Sequence, residues 1–284
     1  MENKSLKKEI SLFMATMLVC GNMIGSGVFM LPSTLAQVSG PGATIIAWIL
    51  TTIGSVLIAI SFANLGTKYP STGGAYQYTK EAFGDFTGFL SAWLYWNGSW
   101  IGNAAIIVAI TSYASAVIPV LNNSIVSLVF SSAILWIFTL VNVAGVKKAG
   151  KIQAFVTVFK IGFFALFIII AFLNFDTNNI LPMYPEGKGL STVPLAATST
   201  LWAFVGLESA TVTAGELKNP EKNVRKSTIY GIIISAIIYL LISIGSMGAM
   251  SNSELAQSSA PLTDILTNAL GNGVGKILTV AVVV

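Results

Sequence analysis

The sequence predicts an all-α polytopic membrane protein, and three observations predict it. Of 284 residues, 54% are hydrophobic and only 9% charged, against roughly 25% charged in an ordinary globular chain. Mean hydropathy is +0.79. Apolar runs recur from residue 10 to residue 284, at the length of roughly 20 residues that a bilayer helix needs.

Taken in order, the candidate spans are 11–37, 43–66, 84–118, 124–145, 150–173, 193–215 and 227–250, with a last partial run at 274–284. The third is longer than a bilayer is thick, so it is expected to tilt. Residues 1–9 are short and polar, and no small-residue cleavage site follows, so a cleaved signal peptide is not expected.

The basic residues order these spans. Lys4, Lys7 and Lys8 precede span 1, and Lys68 and Lys80 follow span 2. Lys147, Lys148 and Lys151 follow span 4; Lys218, Lys222, Arg225 and Lys226 follow span 6. Twelve of the 15 basic residues therefore fall on one side, and only Lys188 and Lys276 on the other. The positive-inside rule puts the N-terminus in the cytoplasm of a cytoplasmic (inner) membrane protein. The net charge of +4 is explained by this topology, so no nucleic-acid partner is expected. The run at 275–284 reaches about half a bilayer's depth and carries no polar tail. A backbone ending in hydrocarbon leaves carbonyls unsatisfied, so the sequence is expected to be a fragment or a prematurely terminated product, inactive alone.

Composition also removes whole classes of chemistry. There is no His and a single cysteine, Cys20, inside span 1. His-based triads, His-ligated metals, haem and intrachain disulfides are excluded, and no cofactor is expected. An enzyme would be left with Ser–Lys or paired-acid chemistry, for which no spacing is present. A channel would need a continuous polar face along several spans, whereas the polar groups here gather at two points.

The first point is Gly21-Asn22-Met23-Ile24-Gly25-Ser26-Gly27-Val28-Phe29, with Pro32 close behind, in the middle of span 1. Three glycines and a proline weaken a helix strongly. Two arrangements accommodate such a stretch at bilayer depth. Either the broken backbone lines a cavity, offering N–H groups to a carboxylate and carbonyls to an ammonium, or small residues pack helices closely.

The second point is Ser199-Thr200-Leu201-Trp202-Ala203-Phe204-Val205-Gly206-Leu207-Glu208-Ser209-Ala210 in span 6. A glycine again sits mid-span, beside an acid and below a tryptophan. A carboxylate at this depth is costly unless it is paired or functional. Glu208 is thus either a functional group or a structural hydrogen bond to a neighbouring helix, and Trp202 either lines a site or packs. If span 6 starts outside, the two broken spans begin repeats of opposite orientation. Residues 1–173 form the first five-helix repeat, 174–192 an extracellular linker and 193–284 the start of an inverted, incomplete second repeat. Transporter sites lie between such paired discontinuous helices.

Lys160 lies about eleven residues into span 5, too deep to snorkel easily. It must find carbonyl partners, stand in for a cation or lose its proton; a static tether is the alternative. Span 3 adds Tyr95-Trp96-Asn97-Gly98-Ser99-Trp100-Ile101-Gly102-Asn103. Asn97 and Asn103 are six apart, on different helix faces, so at most one reaches a central site.

Several of these residues carry a resemblance. The stretch 21–29 followed by Leu31-Pro32, then Pro70-Ser71-Thr72-Gly73-Gly74-Ala75-Tyr76, then 202–215 with Lys218-Asn219-Pro220, resembles the amino acid–polyamine–organocation superfamily. Trp100-Ile101-Gly102-Asn103 together with 201–210 resembles its arginine/agmatine and lysine/cadaverine antiporters. The likeness covers essentially the whole chain.

The resemblance implies an inverted-repeat, five-plus-five transporter fold of twelve spans with a midplane amino-acid site, and a homodimer. By position, Ser26 and the Gly27 amide would take the substrate carboxylate beside Gly25. The carbonyls of Ile24, Trp202 and Val205 would take the α-ammonium. Trp202 would pack on the substrate stem as part of a gate, Asn103 would reach its distal end, and Glu208, with Tyr95, would serve gating or proton linkage. The function implied is exchange of an amino acid, basic by this branch, against a related amino acid or amine such as a polyamine. Lys160 departs from the arginine/agmatine type and resembles the lysine of proton-coupled symporters, which gives the alternative function: uptake of an amino acid with protons through Lys160. Spans 9 to 12 and most of span 8 are absent from this sequence.

Overall fold

The computed structural model describes residues 8–25 and 27–271. The first span is two helices. Helix α1, Leu12–Met23, starts where the Ser11 hydroxyl accepts the Met14 N–H at 3.2 Å, and it stops at Ile24. Helix α2, Gly27–Val38, contains Pro32, which removes the N–H that would bond the Val28 carbonyl. Helix α3, Pro41–Lys68, opens with Pro41 in its first turn, where the missing N–H is harmless.

Helix α4, Ala75–Phe83, is a short helix between spans 2 and 3 that the hydropathy reading leaves as loop; at nine residues it is too short to register against a bilayer-length window. Helix α5, Asp85–Val117, runs 33 residues, or roughly 50 Å at 1.5 Å per residue, which is the over-long third span. Helix α6, Ser124–Val143, is capped by the Asn123 side chain, which accepts from the N–H groups of Ile125 and Val126. Helix α7, Val146–Leu173, is the fifth span.

Span 6 is divided like span 1. Helix α8, Val193–Trp202, and the short α9, Ser209–Val212, flank an irregular turn. Helix α10, Pro220–Ala249, is the seventh span. Two further helices, α11 at Asn252–Gln257 and α12 at Pro261–Leu270, occupy a stretch read from sequence only as a connection. The expected last run at 274–284 lies outside the described residues. Among the described residues, five stretches are long and apolar enough to cross a membrane, the two halves of span 1 taken together.

Packing follows small residues rather than large ones. On α3, Ala43, Ala47, Thr51, Ser55, Ala59 and Ala63 are buried at intervals of four, one stripe of a helix that lies against α10 and α8. Between helices in lipid there is no hydrophobic drive, so close backbone approach and hydroxyl bonds do the holding. Accordingly Trp48 Nε1 donates to Ser243 Oγ at 2.9 Å, and Thr51 Oγ1 to Thr200 Oγ1 at 3.0 Å. Trp48 stacks on Tyr239 and meets Phe204 edge-on, with ring centroids 5.5 and 6.1 Å apart. This cluster anchors α3 and α10 to the break in span 6. Helix α6, by contrast, buries none of its residues, as fits a helix facing lipid on most sides.

Candidate functional site

The break in span 1 is built by its glycines. The Ile24 N–H still bonds back to the Cys20 carbonyl at 2.7 Å, but the Gly25 N–H turns to Met23 at 2.8 Å, and the α-helical ladder stops. Ser26 lies outside the described residues, and α2 begins at Gly27. A Cβ at Gly25 or Gly27 would meet open space, so these two positions border a void.

The break in span 6 tightens before it opens. Three successive N–H groups, of Ala203, Phe204 and Val205, bond to the carbonyls three residues earlier, at 3.2, 3.1 and 3.2 Å. Gly206 then takes φ +109°, a conformation side-chain-bearing residues rarely adopt. Its N–H donates to the Glu208 carboxylate at 3.2 Å. The Tyr239 hydroxyl of α10 donates to the Ala203 carbonyl at 3.0 Å, satisfying a group the break leaves free.

The two breaks touch. A Cβ at Gly206 would sit 2.9 Å from the Asn22 carbonyl carbon and 3.1 Å from the Met23 nitrogen. Asn22 Nδ2 donates to Ser209 Oγ at 2.7 Å, and that hydroxyl donates on to the Gly206 carbonyl at 2.6 Å. From the other side, Lys160 on α7 donates to the Ile24 carbonyl at 3.3 Å. The buried ammonium thus ends on the C-terminal end of α1, where helix carbonyls carry partial negative charge.

Between the breaks and α5 lies a cavity of about 350 Å³, bordered by Asn22, Gly25, Gly27, Gly102, Val205 and Tyr239 among others. Small-molecule sites run from roughly 300 to 1,000 Å³. A second space of about 680 Å³ contains Ser55, Tyr95 and Glu208. Gly98, Trp202 and Val205 border both, and Trp202 is 74% exposed. Tyr95 and Glu208 both face this second space.

The structure therefore brings together Ile24, Gly25, Gly27, Lys160, Trp202, Val205, Glu208 and Tyr95. Asn103 follows Gly102 on α5, is exposed, and borders neither space. Ile24 is fully buried, and its carbonyl is already engaged by Lys160, although a carbonyl has a second lone pair. Sequence reasoning missed Asn22 and Tyr239 as site residues. Asn22 stood inside the quoted motif, but its partner Ser209 is 187 residues away, and no spacing rule connects them. Tyr239 carried no local signal.

Chemically, the cavity is bordered by Gly27 at the N-terminus of α2 and by Gly25 and Val205 at the two breaks. Helix N-terminal amides suit an anion and C-terminal carbonyls a cation. Trp202 adds an apolar wall.

Comparison with known proteins shows the family of the chain. An amino acid permease family model matches residues 10–284. The chain is 31% identical to the putative arginine/ornithine antiporter of Bacillus subtilis (strain 168), over 93% of this chain and 62% of that protein. It is 34% identical to the cadaverine/lysine antiporter of Escherichia coli (strain K12), over 94% of this chain and 60% of that protein. With the arginine/ornithine antiporter of Pseudomonas aeruginosa the identity is 30%, over 95% and 58% respectively. The chain spans about three fifths of the length of these relatives. It is a multi-pass membrane protein of all-α architecture, and it belongs to the amino acid permease family.

Proposed function

We propose that this chain forms the substrate-holding part of an amino-acid antiporter of the cytoplasmic membrane, which exchanges a basic amino acid for a related amino acid or amine by alternating access. The observation that carries the reading is the cavity of about 350 Å³ between two mutually bonded helix breaks. The named activities of the relatives, arginine/ornithine and cadaverine/lysine exchange, supply the substrate class.

In this reading the substrate carboxylate sits on the Gly27 amide at the α2 N-terminus, with Ser26 beside it. The α-ammonium sits on the Trp202 and Val205 carbonyls. Lys160 occupies the Ile24 carbonyl as a fixed cation and takes no part in coupling. Trp202 closes the cavity toward Glu208 and Tyr95, whose carboxylate–phenol pair links gating to protonation. Asn103 reaches the distal end of the substrate only in a state in which α5 has turned it inward. The lysine and arginine distribution supports an N-terminus in the cytoplasm.

Counterflow tests the reading. The full-length permease in proteoliposomes loaded with unlabelled arginine, lysine or ornithine should accumulate labelled lysine without a proton gradient. Uptake into empty vesicles that requires a proton gradient would favour symport instead.

A further inference from the structure

A third cavity, of about 330 Å³, lies at the opposite end of span 1 from its break, among the start of α1, the end of α6, the start of α7 and the segment after α9. Its walls are largely apolar, from Ile10, Met14 and Phe138 among others. Its polar groups share one character. Asn142 Nδ2 already donates to the Phe138 carbonyl at 3.0 Å, and Gln153 Nε2 to Thr157 Oγ1 at 3.5 Å, so each amide keeps its oxygen. Glu216 adds a carboxylate.

The backbone that carries this carboxylate is held in place. The Ile10 N–H donates to the Glu216 carbonyl at 3.0 Å and the Lys218 N–H to the Ile10 carbonyl at 2.9 Å, a short parallel bridge between Ile10 and Leu217. Lys147, Lys148 and Lys151 open the neighbouring α7, yet among the described residues the ion pair is Lys80 with Asp85, and none forms with Glu216. Among the described residues this half-buried acid has no cation, and with two amide oxygens and a hydrocarbon wall beside it, it is complementary to an ammonium, which has three donors and no acceptor.

We propose that this cavity is a cytoplasm-facing subsite for an amphipathic cation, a primary ammonium on a hydrocarbon stem, with Glu216 as its anion. It deepens the antiport reading and rests on it: a basic amino acid or diamine leaving or entering the cytoplasm pauses here, head on Glu216 and stem on Met14 and Phe138. Burial pushes the Glu216 carboxyl up from its ordinary value, because desolvation disfavours the charged form.

The test measures lysine exchange by the full-length permease from each face, in right-side-out and everted membrane vesicles. In Glu216→Gln, the ratio of cytoplasmic-face KM to outer-face KM should rise about tenfold, the scale of one charge-assisted hydrogen bond. Glu216→Asp should restore it. An unchanged ratio, whether neither face responds or both respond equally, would overturn the subsite and leave antiport standing. Wild-type vesicles that exchange no lysine from either face would overturn the antiport reading, and the subsite with it.

Discussion

Lys160 Nζ lies 3.3 Å from the carbonyl oxygen of Ile24, so the one charged side chain deep in span 5 is spent on the broken end of span 1. A cation in this place does what a bound metal ion does in other broken-helix sites: it satisfies carbonyls that no helix turn can reach.

Removing that ammonium should therefore damage stability before it changes substrate choice. Lys160→Met should lower the stability of the detergent-solubilised permease by about 2 kcal/mol, the scale of a hydrogen bond to a charged group. Thermal melting followed by size-exclusion chromatography reads it. An unchanged melting temperature together with lost pH dependence of uptake would instead give Lys160 a coupling role.

The contact between the breaks makes a second prediction. In Gly206→Ala, the new Cβ would press on Asn22 and Met23 from 2.9 to 3.1 Å, at a residue held at φ +109°. Strain of about 1–3 kcal/mol is expected, with exchange reduced at least roughly tenfold. Gly27→Ala meets open space, so it should leave the melting temperature unchanged and raise substrate KM by filling the cavity. Equal behaviour of the two variants would contradict the geometry.

Trp202 supplies a third. It is largely exposed and borders both spaces, so Trp202→Ala should fold normally. Substrate KM should rise about tenfold, and the space beside Glu208 should become continuous with the central cavity. A cysteine at Ser55, tested in the Cys20→Ser background, should then be labelled by a small thiol reagent in the variant but not in the parent. Equal labelling in both would show that Trp202 is no partition.

Tyr239 gives the fourth. Tyr239→Phe removes the donor to the Ala203 carbonyl, 3.0 Å away, and leaves a buried acceptor unsatisfied. A loss of about 1–2 kcal/mol is expected, read by the same melting measurement, with the aromatic cluster around Trp48 retained. No loss would mean that the carbonyl finds another partner.

Much of this was legible in the sequence, because bilayer physics leaves strong marks. The spans at 43–66, 84–118 and 124–145 fall within a few residues of α3, α5 and α6, since length and hydropathy alone fix them. Both breaks were visible as glycines inside apolar runs. The short helices α4, α11 and α12 were not, because their side chains answer to loop packing rather than to lipid. Nor were the pairs that join the breaks, Asn22 with Ser209 and Tyr239 with Ala203: each links residues far apart in the chain, and neither partner announces the other. The approach of Gly206 to Asn22 likewise exists only once both helices have stopped at the same depth.

The account rests on one cavity serving exchange between the two breaks. The most direct test is counterflow of labelled lysine by the full-length permease in proteoliposomes, with Gly27→Ala and Trp202→Ala beside the wild type and no proton gradient. The account predicts accumulation only in vesicles preloaded with a basic amino acid, with KM raised in both variants. Accumulation that ignores the internal amino acid, or variants with unchanged KM, would contradict it.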